Sequence, residues 1–273
     1  MVAVQVQVLK ALPVATSYDY PAPVIKRVVV VGGTHGNEYT GVWCIKAMAH
    51  QSQDLKAKYP SLDISTLLAN PQAHLENKRF IQTDLNREFS ENKLLGAEGL
   101  PNTIESLRAR ELNEILGPKF SDTYGVDLII DLHSTTSNMG ITVIIPEGDA
   151  IMAQAAAYVM HSCGAQCLMH SIPKRQDRPD LSSTAKHGFT IEVGPVPQGV
   201  LRHDMVEKTQ MAIAALLEFI EKRNSNDNVQ DRLRRMYPSG TVPCFGQRPP
   251  SYQAKYRASL CGRAIPTMQT FLL

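Results

Sequence analysis

The chain has 273 residues, 43% hydrophobic and 20% charged, with a formal net charge of +2. That balance is ordinary for a globular protein and gives no footprint for a polyanionic partner, so no nucleic acid is expected. No stretch approaches the roughly 18 apolar residues of a membrane span. Met1–Pro13 lacks the basic start and continuous apolar core of a signal peptide. Five cysteines (Cys44, Cys163, Cys167, Cys244 and Cys261) are an odd number without CxxC spacing. They read as free thiols, and a cytoplasmic protein is expected.

In chain order, Val2, Val4, Val6 and Val8 alternate with smaller or polar residues, the pattern of a half-buried or edge strand. Tyr18–Pro23 is a turn-rich link. Val28–Val31 reads as a strand buried on both faces, of the kind found in parallel sheets. Gly32–Gly33 ends it, and His35 and Glu38 follow three residues apart. Both are good metal ligands, placed at the strand's C-terminal end, where open α/β sheets bind their ligands. A zinc ion is the expectation.

Gly41–His50 carries helical spacing, and Ile64–Leu68 is a short strand stopped before Pro71. This β-helix-β order favours a parallel sheet. Arg79–Arg87 has no clear period. Arg79 and Arg87 both have the geometry to clamp a carboxylate, and a solvated loop with self-paired charges is the plainer alternative. Ile104–Leu116 is an amphipathic helix stopped by Gly117–Pro118. Val126–His133 is a second buried strand, ending in a histidine as the first is followed by one. If the two strands are neighbours, His35, Glu38 and His133 converge into the His₂Glu set of a catalytic zinc.

Ile141–Ile145 reads as a strand, Ala150–Met160 as a helix, and Ser171–Asp180 as a polar loop at the mouth of the site. Phe189–Pro195 places Glu192 in a strand with apolar neighbours. A carboxylate there is either a general base or half of a structural ion pair. His203–Lys222 is a long amphipathic helix. Beyond Asn224 the chain turns basic and rich in breakers. A nucleotide site is not supported, since Gly32–Gly36 matches neither a P-loop nor GxGxxG. No GxSxG elbow is present either.

Four motifs occur in order: Gly32–Glu38, Asp84–Arg87, Asp131–His133 and Ile191–Pro195. Together with Thr135–Gly140 and Pro197–Arg202 they resemble the aspartoacylase family, over roughly Arg27 to Arg223. That family is similar to the zinc carboxypeptidases. The resemblance implies an α/β, three-layer fold with a mixed, mostly parallel sheet flanked by helices. It implies one Zn²⁺ per chain on His35, Glu38 and His133, with Glu192 as general base and acid. Arg79 falls at the arginine that polarises the scissile carbonyl, and Asn86 with Arg87 at the clamp on the substrate α-carboxylate. Asp131 falls where a partner orients a ligand. The implied substrate is a small N-acyl amino acid, cleaved to a carboxylate and a free amino acid, and the implied protein self-associates.

The match also has departures. Ser182 stands where aspartoacylase has an arginine for the substrate's side-chain carboxylate, with Arg178 the nearest substitute. The expected organisation is an amidohydrolase domain over 1–224 and a short basic, Pro-rich tail over 225–273 in place of the family's C-terminal β-domain. Two readings stay open: an active deacylase, of aspartoacylase-like or aminoacylase-3-like specificity, or a zinc-binding remnant.

Overall fold

A computed structural model describes residues 24–96, 99, 101–121, 123–170 and 175–225, together with 12–13, 233, 235 and 241–242. Its strands are β1 (Leu12–Pro13), β2 (Arg27–Gly32), β3 (Asp63–Leu68), β4 (Leu128–Ser134), β5 (Gly140–Pro146), β6 (Gln166–His170), β7 (His187–Gly194) and β8 (Thr241–Val242). Its helices are α1 (Tyr39–His50), α2 (Ser52–Lys58), α3 (Pro71–Leu75), α4 (Glu91–Leu94), α5 (Ile104–Leu116), α6 (Ala150–Cys163) and α7 (His203–Asn224). β1 and β8 pair antiparallel with each other, apart from the main sheet.

The six-stranded sheet has the order β3-β2-β4-β7-β5-β6. β3, β2, β4 and β7 run parallel, β5 opposes β7, and β6 runs parallel to β5. The sheet is therefore mixed and mostly parallel. Successive side chains of a strand take opposite faces, and both faces are buried. Val28, Val30, Ile130, Leu132, Ile191 and Val193 pack with residues of α1, α6 and α7. Val29, Val31 and Ile129 pack instead with Ala109, Leu112 and Leu116 of α5 and with Leu85, Phe89 and Leu181. Helices thus cover both sides, the three-layer arrangement expected from continuous apolar strands.

The strands and long helices expected between Val28 and Lys222 form, with boundaries shifted by a few residues. α1 starts at Tyr39, β4 starts at Leu128 and includes Ser134, and α6 runs on to Cys163, where Gly164 caps it in the left-handed region. The short elements α2, α3, α4 and β6 were not legible as periodic patterns. Of the polar loop expected over Ser171–Asp180, 171–174 lie outside the described residues, Arg175–Asp177 is a short, partly exposed turn, and Arg178 and Asp180 belong to a buried segment running to Thr184. Arg178, Asp180, Ser182, Ser183 and Thr184 are buried, because they satisfy one another and nearby backbone. The expected strand at Val2–Val8 and the link at Tyr18–Pro23 lie outside the described residues, as does most of the tail. Leu233, beyond Asn224, is fully buried in the main core. Cys44 and Cys163 are free thiols, as expected.

α1 lies close to the sheet. A Cβ on Gly32 would sit 2.5 Å from the Gly41 carbonyl oxygen, and one on Gly41 would sit 2.9 Å from Leu132. Both contacts involve backbone that cannot rotate away. Gly32→Ala is expected to lower the unfolding free energy by about 1–3 kcal/mol, the usual range for overpacking, measurable by urea titration. An unchanged midpoint would show that α1 can move outward freely.

Candidate metal centre and substrate loop

β2, β4 and β7 are neighbours and parallel, so their C-terminal ends lie side by side. Gly32 is in register with Leu132, and His133 with Glu192. His35 follows β2 by one tight turn, in which Gly33 adopts φ +70°. Asp131 and His133 occupy the β4 positions that alternate with the core residues Ile130 and Leu132. They therefore point to the α5 side. The same alternation along β7 places Glu192 on that side, beside His133.

His35, Glu38 and His133 form the one group of this type found among the described residues, with ligand atoms within 4.8 Å of one another. All three are buried. His35 Nδ1 lies 2.7 Å from Glu38 Oε1, and His133 Nδ1 lies 3.0 Å from Glu38 Oε2. The two Nδ1 atoms are 3.1 Å apart. Ligands spaced tetrahedrally around zinc at about 2 Å stand about 3.3 Å from each other, close to these separations. The outer nitrogens are held too: His133 Nε2 lies 2.9 Å from Asp131, and His35 Nε2 lies 3.1 Å from Asp84. Those carboxylates assign the protons to Nε2. With both rings neutral, the Nδ1 lone pairs face each other and a carboxylate, three acceptors that a cation, or a proton on His133, relieves. The residues fit a zinc ion.

The field of the cluster agrees. Burial opposes ionisation of Glu38, but His133 and His35 outweigh it and hold its carboxyl far below the usual range. Burial likewise opposes protonation of His133, and Asp131 with Glu38 overcome it and hold its pKa well above the ordinary value. Glu38 also sits at the N-terminus of α1, where the helix dipole favours an anion, and accepts from Ser134 N at 3.0 Å. Thr34 Oγ1 donates to Asp131 at 2.7 Å, fixing the carboxylate behind His133. Glu192 differs: burial pushes its carboxyl up, partly offset by His133.

The loop 79–89 brings the remaining candidates to this edge. Arg79, partly exposed, reaches Glu38 Oε1 at 3.2 Å and Asp84 Oδ2 at 3.4 Å. Asp84 links the His-Glu-His cluster to the 79–89 loop, for its Oδ1 lies against His35 and also accepts from Asn86 N at 2.9 Å. Asn86 Oδ1 accepts from Leu181 N at 2.9 Å, and Arg87 Nη1 donates to the Asn86 carbonyl. Arg178 is placed differently from the expectation. Its guanidinium is held by Asp180 through Nε and Nη2 at 3.0 and 2.6 Å, and Nη2 also donates to Ser182 Oγ. A buried fork of this kind is a structural ion pair rather than a ready substrate clamp. A cavity of about 500 Å³ adjoins it at the opposite, N-terminal end of β7.

Asp84, Thr34 and Ser134 were missed as contributors to the cluster. Asp84 and His35 are 49 residues apart, and nothing local to Asp84 marks its partner. Lys119 was missed as well. It is fully buried and donates to Phe89 O at 2.7 Å and to Arg178 O, tying the 79–89 loop to the 178–184 turn.

His35→Ala and His133→Ala are each expected to abolish stoichiometric zinc binding. Asp84→Ala and Asp131→Ala should weaken it by about 10- to 100-fold, as measured by metal competition titration. Equal affinity in the aspartate variants would mean that the outer nitrogens need no orientation. Burial also pulls the pKa of Lys119 down to about 8, against an opposing Asp180. The unfolded chain, with a lysine pKa near 10.4, holds more protons between these values, so this group's contribution to stability rises with pH across that window. Urea titrations at about pH 8 and about pH 10 should show the native protein gaining on Lys119→Met. A difference that stays flat would remove the buried charge from the account.

The family model for the succinylglutamate desuccinylase/aspartoacylase catalytic domain matches residues 24–220. An N-acyl-aromatic-L-amino acid amidohydrolase (carboxylate-forming) of Xenopus laevis is 38% identical over 208 residues, covering 74% of this chain and 66% of that protein. A probable aspartoacylase of Acaryochloris marina is 38% identical over 204 residues, covering 73% and 65%. The chain thus spans about two thirds of the length of these curated relatives. Among solved structures, murine aminoacylase 3 superposes with a TM-score of 0.68 at 33% identity, covering 75% of this chain and 67% of that one. Succinylglutamate desuccinylase of Vibrio parahaemolyticus, at 19% identity and TM-score 0.56, shares the fold. The parallel strand ends, the His-Glu-His cluster and a match across most of the described residues lead to one conclusion: this chain belongs to the succinylglutamate desuccinylase/aspartoacylase family.

Proposed function

We propose that this protein is a zinc-dependent deacylase that hydrolyses the amide bond of N-acyl amino acids, releasing a carboxylate and a free amino acid. The observation that carries the reading is the buried His35–Glu38–His133 cluster with Glu192 in register beside it. Zinc held by the three ligands would supply Lewis-acid activation of water and of the acyl carbonyl.

The chain's own residues then have distinct tasks. Glu192, with its carboxyl pushed up by burial, takes the proton of the attacking water at Oε and delivers it to the leaving nitrogen. Arg79 turns its partly exposed guanidinium toward the oxygen that gains negative charge. Arg87 binds the substrate carboxylate with the N–H groups it does not use on Asn86. Asn86 adds its Nδ2 hydrogens, since its Oδ1 is taken by Leu181.

The relatives' names divide between aromatic N-acyl amino acids and aspartoacylase. The Arg178–Asp180 pair and Ser182 favour the first, because Arg178, the nearest stand-in for an arginine at position 182, is neutralised by Asp180 and lies toward the N-terminal end of β7, away from Glu192.

Chelation should abolish turnover, and added zinc should restore it. Glu192→Gln and Arg79→Ala should each lower kcat by about 10²- to 10³-fold while zinc content holds. N-acetyl-L-tyrosine should exceed N-acetyl-L-aspartate in kcat/KM. Zinc-loaded protein with no turnover on any N-acyl amino acid would identify a metal-binding remnant instead, and a preference for N-acetyl-L-aspartate would overturn the specificity.

A further inference from the structure

Two buried charges stand outside the roles given above. Glu105, in the first turn of α5, has no exposed surface, and its carboxylate accepts from three consecutive backbone amides. These are Ile81 N at 2.6 Å, Gln82 N at 3.1 Å and Thr83 N at 3.1 Å, with Asn70 Nδ2 at 3.3 Å as a fourth donor. Lys119, equally buried, donates to Phe89 O at 2.7 Å and to Arg178 O. Phe89 N in turn donates to Pro179 O at 3.1 Å, and Arg175 donates to Lys119 O. A negative charge therefore grips one end of the 81–89 loop through its N–H groups, and a positive charge grips the other through a carbonyl. Arg79 and Asp84 flank the first grip; Asn86 and Arg87 precede the second.

Apolar residues would fill either place without the penalty of a buried charge. They would leave the part-buried amides of 81–83 and the carbonyl of the buried Phe89 without these partners, at a cost in free energy and in order of the loop. The charges do for this irregular segment what a ladder does for a strand.

We propose that Glu105 and Lys119 are positioning residues that separately set the two functional halves of the loop: Glu105 sets Arg79 and Asp84, and Lys119 sets Asn86 and Arg87. The inference rests on the functional reading above, in which Arg79 acts on the carbonyl and Asn86–Arg87 bind the carboxylate.

The separation is its test. With N-acetyl-L-tyrosine and the full zinc-loaded chain, Glu105→Gln should lower kcat about tenfold with KM within about twofold. Lys119→Met should raise KM about tenfold with kcat within about twofold. Variants that lose kcat and KM alike, in step with a lower Tm, would overturn the proposal. Amide hydrogen exchange reads the same point without turnover. Glu105→Gln should speed exchange at 81–83 and Lys119→Met at Phe89, each leaving β2 and β4 protected. Unchanged exchange at these sites would equally overturn it. If Lys119→Met does not fold, Arg175→Gln, which removes the donor to Lys119 O at a half-buried position, should give the same rise in KM and loosening at Phe89. Failure of Arg79→Ala and Asn86→Ala to alter kcat or KM would sink the functional reading instead, while exchange still judges the two grips.

Discussion

The buried carboxylate of Glu38 is the constraint on which the rest depends. Its Oε1 meets His35 and Arg79, and its Oε2 meets His133 and the Ser134 amide. An ionised carboxylate out of water is costly to leave unpaired. Its partners come from the turn after β2, the end of β4 and the loop before Asp84. All three must dock together for the charge to be satisfied, so the cluster is also a joint between segments far apart in sequence. A cation at the Nδ1 atoms would tighten this joint further, since metal affinity adds directly to the stability of the folded arrangement.

The sheet order makes that joint possible. β2, β4 and β7 lie side by side and point the same way, so three strand ends open onto one spot. β5, running antiparallel, presents Thr142 beside Glu192 without adding a fourth parallel end to the cluster. Glycine at positions 32 and 41 lets α1 approach until its N-terminus carries Glu38 to the metal side. The ends of β4 and β7, the turn after β2 and the start of α1 thus carry the candidate ligands and base, and the loop 79–89 carries the candidate substrate contacts. That division suits a site whose ligand geometry is strict and whose loop contacts can vary.

Much of this was legible in the sequence. Val28–Val31 and Val126–His133 are unbroken apolar runs, and such runs become buried parallel strands because both faces must be covered. A ligand-type residue at the end of each run marks the edge where the chain turns back toward solvent. Ile104–Leu116 and His203–Lys222 showed their apolar stripes directly. The short helices α2, α3 and α4 did not, since elements of seven residues or fewer complete too few turns to show a period. β6 follows α6 after only two residues and carried no separate signal.

What the sequence determined by itself was the set of strands, the long helices and the identity of His35, Glu38, His133 and Glu192 as candidates, because hydrophobic period and residue chemistry are local properties. What only the tertiary structure decided was pairing. Asp84 stands behind His35, Arg178 is neutralised by Asp180, and Glu105 and Lys119 hold a loop whose own sequence shows no order. The Asp84, Glu105 and Lys119 contacts depend on which groups meet after the chain has crossed the sheet and returned; Arg178 and Asp180, two residues apart, depend on the buried turn that holds them together. No local pattern records that, because a buried charge is satisfied by whichever partner the fold brings to it.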